Sequence, residues 1–154
     1  MSIAIGKSLP AIKLAATGGR EVDLKSYKGK PLVLYFYPKD NTSGCTLEGQ
    51  DFTALYPDFQ RSGVEIVGVS RDSVRSHENF CSKYGFPFTL LSDPDELLCN
   101  ALDVMKEKSM YGRTYMGVDR STFLFGADGK LKRQWRGVKV KGHAAEVLEA
   151  AQSL

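Results

Sequence analysis

One uninterrupted apolar run, Leu32-Val33-Leu34-Tyr35-Phe36-Tyr37, ends at Pro38 and constrains the fold more than any other feature. A strand with one wet face alternates apolar and polar residues. This run does not, so it predicts a strand over Pro31–Tyr37 that is covered on both faces. Pro38 cannot donate to a sheet ladder and closes the strand. The small and polar residues Lys39–Gly44 then turn the chain into a helical pattern with Cys45 in its first turn.

The other elements arrange themselves around that strand. Two short β segments, Lys13–Ala16 and Glu21–Leu24, flank a Gly18-Gly19 turn. A helix from about Gly44 toward Phe59 is marked by Phe52, Leu55, Tyr56 and Phe59 at helical spacing, and Pro57 is expected to kink or end it. Val64–Val69 reads as a second buried strand. Asp72 or Ser73 caps a helix over Val74–Tyr84, which Gly85 stops. Thr89–Leu91 is expected as a short strand, Asp95–Leu102 as a helix, and the polar, aperiodic Met105–Val118 as a loop. Ser121–Phe125 and Lys130–Trp135 flank the hairpin turn Ala127-Asp128-Gly129, and a last helix spans about His143–Ala151. This order predicts an α/β fold with a central mixed sheet, helices on both faces and an N-terminal hairpin. With no internal repeat or linker, residues 1–154 read as a single domain.

Charge narrows the function. The 21 Lys and Arg and 18 Asp and Glu are interspersed, without the basic block of a nucleic-acid binder. No apolar run is long enough to span a bilayer. Met1–Lys7 shows no signal-peptide pattern, so the cytoplasm is the default compartment. Three scattered cysteines and two histidines, His77 and His143, make neither a disulfide framework nor a structural zinc site.

Cys45 is the candidate for chemistry. Unpaired backbone N–H groups and the positive end of a helix dipole favour a thiolate in a first turn. A free thiol is only about 3% ionised at pH 7, and bringing it to roughly 90% takes about 3.4 kcal/mol. An exposed helix end supplies only about 0.3–1 kcal/mol, so further donors and a fixed cation are needed. Thr42, three residues back, can reach the sulfur or a bound substrate oxygen. Glu48, one turn on, opposes a thiolate unless an arginine neutralises it. Because Cys45 lies on the same stripe as Phe52, an inert buried thiol fits these residues as well as a reactive one.

Pro38-x-x-x-Thr42-x-x-Cys45 resembles the active-site signature of the peroxiredoxins, thiol peroxidases on a thioredoxin-like fold. Arg120-Ser121-Thr122-Phe123-Leu124 is similar to their later segment, in which an arginine opens a strand. Tyr35-Phe36-Tyr37-Pro38-Lys39-Asp40 and Thr46-x-Glu48-Gly49 point to the bacterioferritin-comigratory, or peroxiredoxin Q, subfamily. The resemblance covers nearly the whole chain. It departs at Ser43, where many members have Pro, and at Gln50, where many carry a second cysteine.

The resemblance implies that Cys45 is the peroxidatic nucleophile and becomes a sulfenic acid. It implies that Thr42 orients the peroxide, that Arg120 stabilises the thiolate and the leaving oxygen, that Pro38 covers the pocket, and that Glu48 holds an arginine. With Gln50 in place of a nearby cysteine, the resolving thiol, if the chain has one, is Cys81 or Cys99. Ser76-His77-Glu78-Asn79-Phe80-Cys81 resembles the branch that resolves from this helix, which assigns Cys81, while the apolar context of Cys99 favours burial. Joining two cysteines on separate helices should require the first turn at Cys45 to unwind and the Cys81 helix to melt in part. His77 reads as a surface or core-edge residue. The resemblance also implies hydrogen peroxide or an organic hydroperoxide as substrate, thioredoxin or else glutaredoxin as reductant, a monomer, and no flavin, haem or metal cofactor.

Three other readings compete. A thioredoxin-type thiol–disulfide oxidoreductase needs Cys-x-x-Cys, where this chain has Thr42-x-x-Cys45. A cysteine-type glutathione peroxidase needs Gln and Trp motifs not found here. A holdase or binding protein would leave Cys45 an ordinary thiol.

Overall fold

The computed structural model describes residues 3–154; the part of the leader reading that falls on Met1 and Ser2 lies outside them. Seven strands form one mixed sheet: β1 (Lys13–Ala16), β2 (Arg20–Asp23), β3 (Leu32–Phe36), β4 (Glu65–Ser70), β5 (Thr89–Ser92), β8 (Ser121–Phe125) and β9 (Leu131–Trp135). The spatial order is β2-β1-β5-β4-β3-β8-β9. β3, β4 and β5 run parallel, and the pairs β3–β8, β8–β9, β1–β5 and β1–β2 are antiparallel.

The central position of β3 explains its lack of alternation. Leu32, Leu34 and Phe36 enter a core shared with Val67, Val69, Leu91 and Phe123, whereas Val33, Tyr35 and Tyr37 enter a second core on the opposite face. The second core is closed by α1 (Ser43–Arg61), α2 (Val74–Tyr84) and α4 (His143–Gln152). The first is closed by the N-terminal segment and α3 (Leu97–Ala101). Among the described residues no helix is long and apolar enough to cross a membrane.

Four expectations need correction. Met105–Val118 is a β-hairpin, β6 (Met105–Met110) and β7 (Arg113–Val118), rather than a loop. Most of it is exposed on both faces, so no buried apolar face imposes an alternation to read. Its turn uses Tyr111 (φ 52°) and Gly112 (φ 75°), the left-handed pair of a type I′ turn. Second, α1 does not end at Pro57 but runs on to Arg61. Pro57 is exposed while Tyr56 and Phe59 are buried, so the hydrogen bond lost at the proline lies on the wet side and the buried stripe holds the helix together.

Third, α3 starts only at Leu97, because Glu96 adopts a left-handed conformation (φ 63°). The Asp93 carboxylate instead caps it, accepting from the Cys99 backbone N–H at 2.8 Å. Fourth, β2 stops at Asp23, whose side chain accepts from the Lys25 N–H and starts a 3-10 turn over Leu24–Tyr27.

Candidate active site

β3 delivers the chain to the surface at Pro38, and α1 starts five residues later, so the loop between them sets Cys45 at the edge of the α1–α2–α4 core. Thr42 is the N-cap of α1 in extended conformation (φ −84°, ψ 154°), and its side chain makes no capping bond. Its hydroxyl donates to the Lys39 carbonyl at 2.8 Å, which leaves the hydroxyl oxygen free to accept. Thr42 is exposed and Pro38 half-buried. Cys45 is only 2% exposed.

Arg120 precedes β8 and reaches back 75 residues to the same place. Its Nη2 donates to Cys45 Sγ at 3.4 Å and its Nη1 to Glu48 Oε1 at 2.6 Å. The carboxylate one turn after the cysteine is thus met by an arginine, as its charge demanded. Burial pushes the Glu48 carboxyl up to about 7, and the Arg120 charge and hydrogen bond pull against that without cancelling it. Burial weakens the Arg120 cation, but Glu48 and Cys45 outweigh burial and hold it above its ordinary value.

Two neighbours escaped the sequence reading. Gly44 lies against Arg120: a β-carbon there would stand 3.2 Å from Nη2. Lys108, on the hairpin expected to be a loop, lies within the field of Cys45 and Arg120 and donates to the Val118 carbonyl at 2.7 Å. A glycine just before the cysteine was a usable signal. Nothing in the hairpin sequence marked Lys108.

Cys81 is half-buried on α2 and packs against the core that contains Cys45. Burial, then the charges of Glu78 and Asp40, push its thiol up to about 11. The buried Tyr35 phenol feels the fields of Glu48, Cys81 and Cys45 together. Cys99 is fully buried in the other core, where burial and Asp93 push its thiol up. All three cysteines are free thiols.

His77, read as a surface or core-edge residue, is fully buried. Its Nε2 meets the Leu91 carbonyl and its Nδ1 meets Asp40 Oδ2, both at 2.8 Å. Asp40 also accepts from the Tyr37 hydroxyl at 2.6 Å and the Ser76 hydroxyl at 2.7 Å. Burial pushes the Asp40 carboxyl up, but His77, Tyr37 and Ser76 outweigh it and hold the carboxyl below its ordinary range.

Residues 5–134 match the AhpC/TSA family. Peroxiredoxin Bcp of Xanthomonas campestris is 54% identical over 142 residues, covering 92% of this chain and 89% of that protein. Peroxiredoxin Bcp of Bacillus subtilis is 46% identical over 154 residues, covering 100% and 98%. Among solved structures, the X. campestris bacterioferritin comigratory protein, described for its alkyl peroxide reduction activity, superimposes with a TM-score of 0.91 at 51% identity, covering 97% of this chain and 98% of that one. On the family match, the identities and the shared fold, the chain belongs to the AhpC/TSA family of peroxiredoxins, in its Bcp or peroxiredoxin Q group.

Proposed function

We propose that the chain reduces hydrogen peroxide and organic hydroperoxides with Cys45 as the nucleophile, Cys81 as the resolving thiol and a thioredoxin-type protein as the reductant. A thiol-dependent peroxidase is the activity of its family. The observation that carries the residue assignment is the Arg120 guanidinium, which faces the Cys45 sulfur with one nitrogen and is fixed by Glu48 through another.

The sulfur attacks the terminal peroxide oxygen. The O–O bond breaks, its electrons leave with the distal oxygen, and that oxygen departs as water or an alcohol once protonated. Negative charge moves from sulfur to the leaving oxygen, and one fixed cation at this edge stabilises both ends of that movement. Thr42 offers its hydroxyl oxygen to the peroxide proton and so sets the line of attack. Pro38 shields the sulfur side of the loop from water.

Resolution joins the Cys45 sulfenic acid and the Cys81 thiol: an S–S bond forms, the S–O bond breaks, and water leaves with the thiol proton. Two observations favour Cys81 over Cys99. Cys81 packs on the same core as Cys45, whereas Cys99 lies across the sheet and is fully buried. A dithiol reductant then exchanges with the disulfide. In this reading residues 1–154 form one domain that works as a monomer.

The test is a peroxidase assay coupled to thioredoxin and to glutaredoxin, on wild type and three variants. Cys45→Ser is expected to abolish turnover. Cys81→Ser is expected to allow one oxidation of Cys45 without a disulfide, and Cys99→Ala to behave as wild type. Thioredoxin-supported turnover that survives Cys81→Ser intact and fails in Cys99→Ala would overturn the resolving assignment.

A further inference from the structure

The sequence of events above requires α2 to yield so that Cys81 can approach Cys45, which makes its attachment to the rest of the fold a kinetic matter. α2 has 11 residues, a length at which an isolated helix is marginal in water, so tertiary contacts decide whether it stays formed. Of its side chains only His77 and Phe80 are buried. One of its two anchors is therefore a polar group.

That anchor is tied to the loop that carries Cys45. Both ring nitrogens of His77 face acceptors, the Leu91 carbonyl and the Asp40 carboxylate, each at 2.8 Å. The ring therefore bridges the Leu91 carbonyl on one side and the Asp40 carboxyl on the other, one through each nitrogen. The His77 and Asp40 side chains are 0% and 2% exposed. Ser76, also on α2, adds a second bond to the same carboxylate at 2.7 Å. The Asp40 backbone N–H donates to Asp72 Oδ2 at 2.9 Å, which joins the loop to the segment leading into α2. Asp40 stands five residues before Cys45.

We infer that the buried Asp40–His77 pair, with Ser76, is a latch that holds α2 against the Cys45 loop and sets the rate of the resolving step. The inference rests on the reading of Cys81 as the resolving cysteine. Asp40, Ser76 and His77 are positioning residues: none touches the sulfur or the peroxide. With the latch closed, Cys81 stays packed in the core and the sulfenic acid waits. With it open, α2 melts locally, the S–S bond forms as the S–O bond breaks, and water leaves. The latch thus stabilises the dithiol form at the expense of the disulfide. It also sets how long the sulfenic acid is exposed to a second peroxide, which would carry it to the sulfinic acid.

Full-length wild type, Asp40→Asn, His77→Gln and Ser76→Ala are mixed with hydrogen peroxide, quenched by alkylation at intervals and resolved by mass spectrometry. Sulfenic acid formation at Cys45 is expected to change by no more than about twofold, because no hydrogen bond joins the latch to Cys45, Thr42 or Arg120. Disulfide formation is expected to be about tenfold faster in Asp40→Asn and His77→Gln, and about threefold faster in Ser76→Ala, the variant least disruptive to folding. The tenfold change corresponds to a Cys45–Cys81 reduction potential about 30 mV more negative, measured in a dithiothreitol redox buffer. Leu131→Ala, which weakens the opposite core, is the control and should leave the disulfide step unmoved.

An unchanged or slower disulfide step in folded Ser76→Ala overturns the latch. So does equal acceleration in Leu131→Ala, which would mean general loosening. Absence of any Cys45–Cys81 disulfide in wild type is a different result, and it removes the resolving assignment and the latch together.

Discussion

Arg120 Nη2 lies 3.4 Å from the Cys45 sulfur while Nη1 of the same guanidinium holds Glu48 at 2.6 Å. Only a planar fork can meet both partners at once. Lysine keeps the charge but must choose one of them. Arg120→Lys and Arg120→Ala are therefore both expected to lower the rate constant of Cys45 oxidation, by about 10²–10³-fold for Ala and by less for Lys. Stopped-flow oxidation with hydrogen peroxide, with far-ultraviolet circular dichroism to confirm folding, checks this.

Gly44 separates activity from stability. An alanine β-carbon would stand 3.2 Å from Arg120 Nη2, so the guanidinium has to give way by a few tenths of an ångström. The position lies inside α1, where alanine is favoured over glycine by up to about 1 kcal/mol. Gly44→Ala is expected to oxidise about three- to tenfold more slowly while its urea midpoint stays level or rises. A paired loss of stability would indicate damage to the helix instead.

Gly49 bears on stability alone. A β-carbon there would fall 2.4 Å from Phe86 Cζ, within the ring's own volume. Phe86 cannot easily withdraw, because it lies edge-on to Phe80 and stacked on Phe88, with centroids at 4.8 and 5.6 Å. Gly49→Ala is expected to cost about 1–3 kcal/mol in equilibrium urea unfolding, outweighing the helix gain.

His143 sets an acid limit. Burial pushes its imidazole from 6.5 down to about 4; Glu146 pulls it back up, and the Arg120 charge pushes it further down. The folded ring is thus neutral where the unfolded chain takes up a proton. Its contribution is whole above about pH 6.5 and is lost as the pH falls toward about 4. About 2 kcal/mol of stability should disappear between pH 7 and pH 5, and His143→Gln should flatten the slope. Urea midpoints at pH 7 and pH 5 for both proteins give the comparison.

What the sequence reveals follows where side-chain chemistry is local. The apolar run at Leu32–Tyr37, the Ser73 cap and the Gly85 stop are each fixed by neighbours in the chain, and all appear in the fold. Cys45 at the start of a helix and the need for a cation beside Glu48 were legible for the same reason. That the cation is Arg120, 72 residues from Glu48, came only from resemblance, because nothing local distinguishes one arginine from another. The β6–β7 hairpin was illegible because it buries little and so carries no periodicity. His77 was misjudged because its partners, Asp40 and the Leu91 carbonyl, are distant in sequence.

The most direct measurement is the rate constant for oxidation of Cys45 by hydrogen peroxide at pH 7, in a Cys81→Ser, Cys99→Ala background. Full ionisation alone can raise the rate over free cysteine by no more than about thirtyfold, since a free thiol is about 3% thiolate at that pH. A cation that also stabilises the leaving oxygen predicts an enhancement above about 10³-fold, most of it lost in Arg120→Ala. A rate within about thirtyfold of free cysteine, or one indifferent to Arg120→Ala, would contradict the account.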